Sequence, residues 1–208
     1  MITYPRLEPG KYYHVFNRGN NRENIFREPQ NYPYFLQKMR RYVFPVASVL
    51  AYCLLRNHFH LLIRVRGVEE QRALLSAKGL PVPPGGDGCP LDPSRQFAHL
   101  FNGYAKAINK QYRRTGSLFQ KRFRRRAVES MNDLRSLVLY IHRNPEKHGL
   151  AADFRAYPHS SLREMSEPTV LNVDPAETMT LFNGAAEFLA FHECGEYHME
   201  STPTPLDD

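Results

Sequence analysis

Val46-Ala47-Ser48-Val49-Leu50-Ala51-Tyr52-Cys53-Leu54-Leu55 and His58-Phe59-His60-Leu61-Leu62-Ile63-Arg64-Val65 are two apolar, β-rich runs separated only by Arg56-Asn57. Two such runs joined by a two-residue link read as an antiparallel hairpin. His58 and His60 begin its second strand. At positions i and i+2 they project from one face, where two imidazoles can chelate one divalent ion. Taken alone, a His-x-His in a strand is more often an exposed or hydrogen-bonded pair than a metal site.

Working outward, helices and strands alternate in the manner of an α+β domain. Upstream, Lys11 to Asn17 reads as a strand stopped by Arg18-Gly19-Asn20-Asn21, a turn composition. From Asn31 to Phe44, Tyr34, Phe35, Met39, Tyr42 and Val43 recur near helical spacing, and Pro45 closes the run. Downstream, the four prolines and three glycines between Pro81 and Pro90 can form neither helix nor inner strand, so a mobile loop is expected over 67–95. Ser94 is the expected N-cap of a helix carrying Phe97, Leu100, Phe101, Tyr104 and Ile108, ending near Thr115-Gly116. Ser117 to Val128 reads as a turn and a short strand. The next helix, starting near Ser130 or Asn132, has Leu134, Leu137, Val138 and Ile141 on its core face, with Pro145 as its expected end.

The 208 residues fit one domain with an extension. The expected division is a domain over 1–161 and an acidic, partly helical extension over 162–208. Cys53, Cys89 and Cys194 form no Cys-x-x-Cys pair, which argues against a disulfide framework or a thiolate zinc site. No apolar run approaches the roughly 20 residues of a membrane helix, and no secretory segment opens the chain, so a cytoplasmic, nucleoid-associated protein without a membrane partner is expected. His192-Glu193 lacks the second histidine of a zinc-protease helix, because position 196 is Glu.

Charge is divided unevenly. Residues 1–150 hold 26 Lys and Arg against 10 Asp and Glu, whereas residues 151–208 hold 2 against 11. The basic field is densest from Phe101 to Arg126, where Lys106, Lys110, Arg113, Arg114, Lys121, Arg122, Arg124, Arg125 and Arg126 occur with no acid among them. A solvated helix face normally mixes signs for i,i+4 pairing, so this run reads as a nucleic-acid surface.

Tyr140 and Asn144 are four residues apart and therefore one above the other, beside the core stripe, as suits a groove edge. A phenol with a pKa of about 10 is a poor nucleophile at neutral pH. A nearby cation that polarises a phosphate lets it react and leaves a covalent phosphotyrosine. His58 and His60 can hold such an ion, with the Asn144 oxygen as a third, harder ligand. Most helix-flank tyrosines are simply packing.

In order along the chain, Tyr13-His14-Val15-Phe16-Asn17-Arg18-Gly19-Asn20-Asn21, Leu55-Arg56-Asn57-His58-Phe59-His60-Leu61-Leu62-Ile63, Arg114-Thr115-Gly116-Ser117-Leu118-Phe119-Gln120, Tyr140-Ile141-His142-Arg143-Asn144-Pro145-Glu146-Lys147-His148-Gly149-Leu150 and Tyr157-Pro158-His159-Ser160-Ser161 resemble segments of the REP-associated tyrosine transposases. These belong to the HUH single-strand transposases. The resemblance implies a ferredoxin-like antiparallel sheet with packed helices, Tyr140 as nucleophile, and His58, His60 and Asn144 around Mg²⁺ or Mn²⁺. It also implies cleavage and rejoining of single-stranded DNA at hairpin repeats, by a monomer or a homodimer. Many relatives have Pro where this chain has Arg56. Two other classes stay open: a DNA-binding protein of repeats that does not cut, and a metal-dependent nuclease that uses water.

Overall fold

The hairpin forms as its pattern predicts, with β2 (Ala47–Leu54) antiparallel to β3 (His58–Val65), and a bulge lies between Val49 and Ala51. Its tight link is held by the preceding segment. The Arg56 carbonyl accepts from the Ile25 and Phe26 N–H groups, each at 2.9 Å, and the Asn57 carbonyl accepts from Gly19 N–H at 2.8 Å. Gly19 has no room for a side chain, since a Cβ there would meet the Glu23 carbonyl oxygen at 2.0 Å.

The computed structural model describes residues 4–82, 88–166 and 172–194. Around the hairpin lie β1 (Tyr12–Arg18), α1 (Asn31–Tyr42), α2 (Val68–Ala77), α3 (Pro93–Gln111), β4 (Arg124–Val128), α4 (Met131–Lys147), α5 (Ser161–Ser166), α6 (Pro175–Thr180) and α7 (Ala185–Cys194). The four strands form one antiparallel sheet in the order β2-β3-β1-β4. With α1 between β1 and β2, and α3 between β3 and β4, this is the β-α-β-β-α-β ferredoxin-like arrangement. Among the described residues no helix is long and apolar enough to cross a membrane.

Alternation along the strands separates two cores. Tyr13, Val15, Tyr52, Leu54, Phe59, Leu61 and Ile63 face α1 and α3, packing with Phe35, Met39, Phe97, Leu100 and Tyr104. Ala51, Cys53 and Leu62 face the other way, toward Leu134, Leu137, Val138 and Ile141 of α4. Helices thus cover both sides of the hairpin, which explains its almost unbroken apolar sequence. Phe59 anchors the first core, with ring centroids 5.3 Å from Phe35 and 5.6 Å from Phe101. Phe59→Ala should therefore lower unfolding free energy by about 3–5 kcal/mol. A loss below about 1 kcal/mol in denaturant unfolding would show that the core does not close around this ring.

Three expectations need correction. The span from 67 to 95 is not a continuous loop. Its first part is α2, where Glu70 folds back to accept from Gly67 N–H at 2.8 Å and Gln71 and Leu75 are buried. The N-cap of α3 is Asp92, not Ser94: its carboxylate accepts from Arg95 N–H at 3.0 Å, and Pro93 supplies the first helical residue. Pro145 does not end α4, which continues to Lys147. In the last turn a proline forfeits one hydrogen bond, and the stop comes at Gly149, whose φ of +63° is left-handed. Gly149 N–H donates to the Glu146 carbonyl at 2.9 Å and Leu150 N–H to the Pro145 carbonyl at 2.8 Å, closing the helix end.

The described part of the acidic segment belongs to the second core. Leu181, Phe182 and Phe188 are buried with α4. His192 meets His142, its Nε2 lying 2.8 Å from His142 Nδ1, while His142 Nε2 is 2.8 Å from Ser161 Oγ. Burial holds His192 down to about 4, and burial followed by the nearness of His192 holds His142 well below its ordinary value. Both stay neutral in the fold, whereas the unfolded chain binds protons below about pH 6.5. Stability is thus complete above that pH and falls as pH drops toward the folded values, by up to about 1.4 kcal/mol per unit for each histidine. Thermal melts should show Tm falling between about pH 7 and pH 5; a flat Tm there would contradict the neutral pair.

Candidate active site

The face of the sheet toward α4 carries His58 and His60 on β3, and on β1 His14 and Phe16, which pair with Leu62 and His60. Both β3 histidines are buried. His14 Nε2 lies 2.9 Å from His60 Nδ1. Burial, with a smaller contribution from Arg126, pushes His14 down to about 3, and burial ahead of its neighbouring cationic and imidazole groups pushes His60 well down. Two neutral imidazoles share one proton across such a contact. If His60 Nδ1 donates it to His14, the lone pair of His60 is left on Nε2.

His58 is set the same way by a different partner. Its Nδ1 is 2.7 Å from Asn57 Oδ1, an oxygen that can only accept. The proton therefore sits on Nδ1 and the lone pair on Nε2. Among the described residues His60 Nε2 and Asn144 Oδ1 are buried without a hydrogen-bond partner. Asn144 is oriented by its own helix, since Nδ2 donates to the Tyr140 carbonyl at 2.7 Å. Imidazole nitrogens and an amide oxygen are a donor set whose chemistry suits a divalent cation. Among the described residues no group of three or more His, Cys, Asp and Glu side chains is placed to hold one, so the amide oxygen would be needed.

Tyr140 stands edge-on to His60, with centroids 5.6 Å apart, and to His14 at 6.3 Å. Lys147 Nζ lies 5.4 Å from the phenol ring centre. Tyr140, Arg143, Glu146 and Lys147 line an opening of about 430 Å³. The sequence places Tyr140 and Asn144 at a groove edge, yet Tyr140 is only 3% exposed and Asn144 fully buried. The helix sinks deeper than its core stripe implies: Tyr140 is covered by His14 and His60 of the sheet, and α7 meets α4 through His142 and His192.

Two histidines escaped the sequence reading. His14 is hidden because its partnership with His60 arises from a strand pairing 46 residues apart. His148, whose ring centroid is 4.7 Å from that of His58, lies beyond Pro145, where the helix was expected to have ended. Helical spacing puts His148 one turn past Asn144 and is the signal that could have found it.

The nine basic residues do not form one surface. Arg124 and Arg126 pair with Phe16 and His14 and so lie on the histidine face, whereas Arg125 lies on the other. Its guanidinium sits 4.9 Å over the Phe123 ring and its Nε donates to the Pro5 carbonyl at 2.5 Å. Arg114 is held by Glu23 at 2.5 Å and by Asn109 at 2.7 Å. Lys106, Lys110, Arg113, Lys121 and Arg122 are exposed. His192, the zinc-protease candidate, is occupied by His142 and by the Phe188 carbonyl.

No protein-family model and no curated protein matches the chain. Among solved structures it is similar to a REP-associated tyrosine transposase bound to a REP hairpin, with a TM-score of 0.57 and 20% identity over 83% of this chain and 90% of that one. At that identity the likeness speaks for the fold. The chain has the antiparallel α+β fold of a REP-associated tyrosine transposase.

Proposed function

We propose that the chain binds single-stranded DNA beside hairpin repeats in the cytoplasm and cleaves it through Tyr140. The observation that carries this reading is the phenol held edge-on to His60, whose Nε2 is buried without a hydrogen-bond partner. The Tyr140 oxygen attacks the scissile phosphorus and loses its proton. The bond to the 3′-oxygen breaks, and that oxygen leaves as a protonated hydroxyl, giving a 5′-phosphotyrosine and a free 3′ end. The reverse attack by a 3′-hydroxyl rejoins the strand without further energy.

His58, His60 and Asn144 are the residues that would hold Mg²⁺ or Mn²⁺, and the bound ion would polarise the phosphate. Arg143 and Lys147, lining the opening beside Tyr140, can attract the phosphate charge. The low exposure of Tyr140 favours, as the second reading, a protein that binds repeats without cutting. Incubation of the chain with a single-stranded hairpin oligonucleotide and Mn²⁺, followed by a denaturing gel, separates the two. A covalent protein–DNA band supports the transposase reading. Binding with no cut overturns it, and a cut without an adduct identifies a water-using nuclease.

A further inference from the structure

On the sheet face away from Tyr140, α3 and residues 116–123 enclose a cavity of about 400 Å³. Phe101, Phe119 and Phe123 form its apolar wall, and Asn17 and Asn102 bring amides to it. Lys106, Lys121 and Arg122, all exposed, bring three cations to a lining that contains no Asp or Glu. We infer that this cavity takes one unpaired nucleotide of the bound strand, with its base against the phenyl rings and its phosphates on the three cations.

The wall is built in advance of any ligand. Asn20 N–H donates to the Leu118 carbonyl and Gln120 N–H to the Arg18 carbonyl, each at 2.9 Å, and Gly19 bridges to Phe119. Arg122 is held at a φ of +60°, a left-handed conformation that costs a non-glycine residue about 1–2 kcal/mol. Such strain persists where the surroundings fix the chain, and it is common at ligand clamps. Base stacking on aromatic rings with cations along the backbone is how unpaired strands are held, and an amide can pair with the edge of a base. The cavity reaches Asn17, whose neighbour Arg18 pairs with His58. It therefore lies at the end of the sheet where the histidine strand begins.

This inference rests on the single-stranded DNA reading, and the experiment separates the two. Fluorescence anisotropy is measured with a hairpin oligonucleotide whose unpaired flank carries one abasic site at a time. No binding of the intact oligonucleotide by the wild-type chain would defeat the DNA reading itself. If the chain binds, one flank position should weaken affinity on the order of tenfold when its base is removed. Asn102→Trp, at an exposed helix position, fills the cavity mouth. It should weaken the intact oligonucleotide by a similar factor and abolish the penalty at that one position. As an independent readout, 5-iodouracil at that position should crosslink within 116–123. Penalties spread evenly along the flank, a penalty unchanged in Asn102→Trp, or crosslinks elsewhere would each overturn the base site while leaving DNA binding intact.

Discussion

Tyr140→Phe should lower strand cleavage by at least about a thousandfold and eliminate the covalent adduct, while hairpin affinity stays within about twofold. The substitution removes one oxygen. It leaves the ring's edge-on contacts with His60 and His14, its approach to Lys147 and the Asn144 bond to the Tyr140 carbonyl in place. Because Tyr140 is buried in the second core, the larger Tyr140→Ala would open a cavity and mix a folding defect into the result. Unchanged thermal stability of the Phe variant is the control. Cleavage by Tyr140→Phe at near the wild-type rate, or mapping of the DNA to a different tyrosine, would falsify the nucleophile assignment without touching the fold.

The parts of this architecture legible in the sequence are those set by short-range periodicity. The β2–β3 hairpin, β1, α1 and the core face of α4 follow from period-2 and period-3.6 patterns that reach only a few residues along the chain. The weakly patterned α2 is hidden by the proline-rich stretch after it; its Leu75 and Gln71 are buried, and Gln71 Oε1 accepts from Leu91 N–H at 3.1 Å, a contact 20 residues away in sequence. The candidate site divides along the same line. His58, His60, Tyr140 and Asn144 lie in recognisable local patterns. The role of His14 exists only once β1 lies beside β3, and no local pattern encodes which strands become neighbours. The placement of Arg125 on the opposite face is readable in principle. Once Arg124–Val128 is a strand, alternation must send Arg125 opposite to Arg124 and Arg126. Charge density alone does not carry that information, and a run of three arginines looks like one patch until its backbone is extended.

The second large effect concerns the ion. His58→Ala combined with His60→Ala should abolish cleavage and remove Mn²⁺ binding measured by calorimetry or electron paramagnetic resonance, with hairpin binding largely kept. The binding readout matters because it reports on the ligands even if chemistry fails for another reason. His14→Phe is the graded companion. It preserves a ring beside Phe16 and His60 but removes the nitrogen that meets His60 Nδ1. The proton of His60 then loses the partner that keeps its lone pair on Nε2, and Mn²⁺ affinity should fall by about 10- to 100-fold, not vanish. A double variant that still binds Mn²⁺ like the wild type would remove His58 and His60 as ligands. If the double variant loses the ion and His14→Phe binds it normally, His58 and His60 stand as ligands and the 2.9 Å contact between His14 and His60 is packing, with the His60 tautomer set by the metal itself.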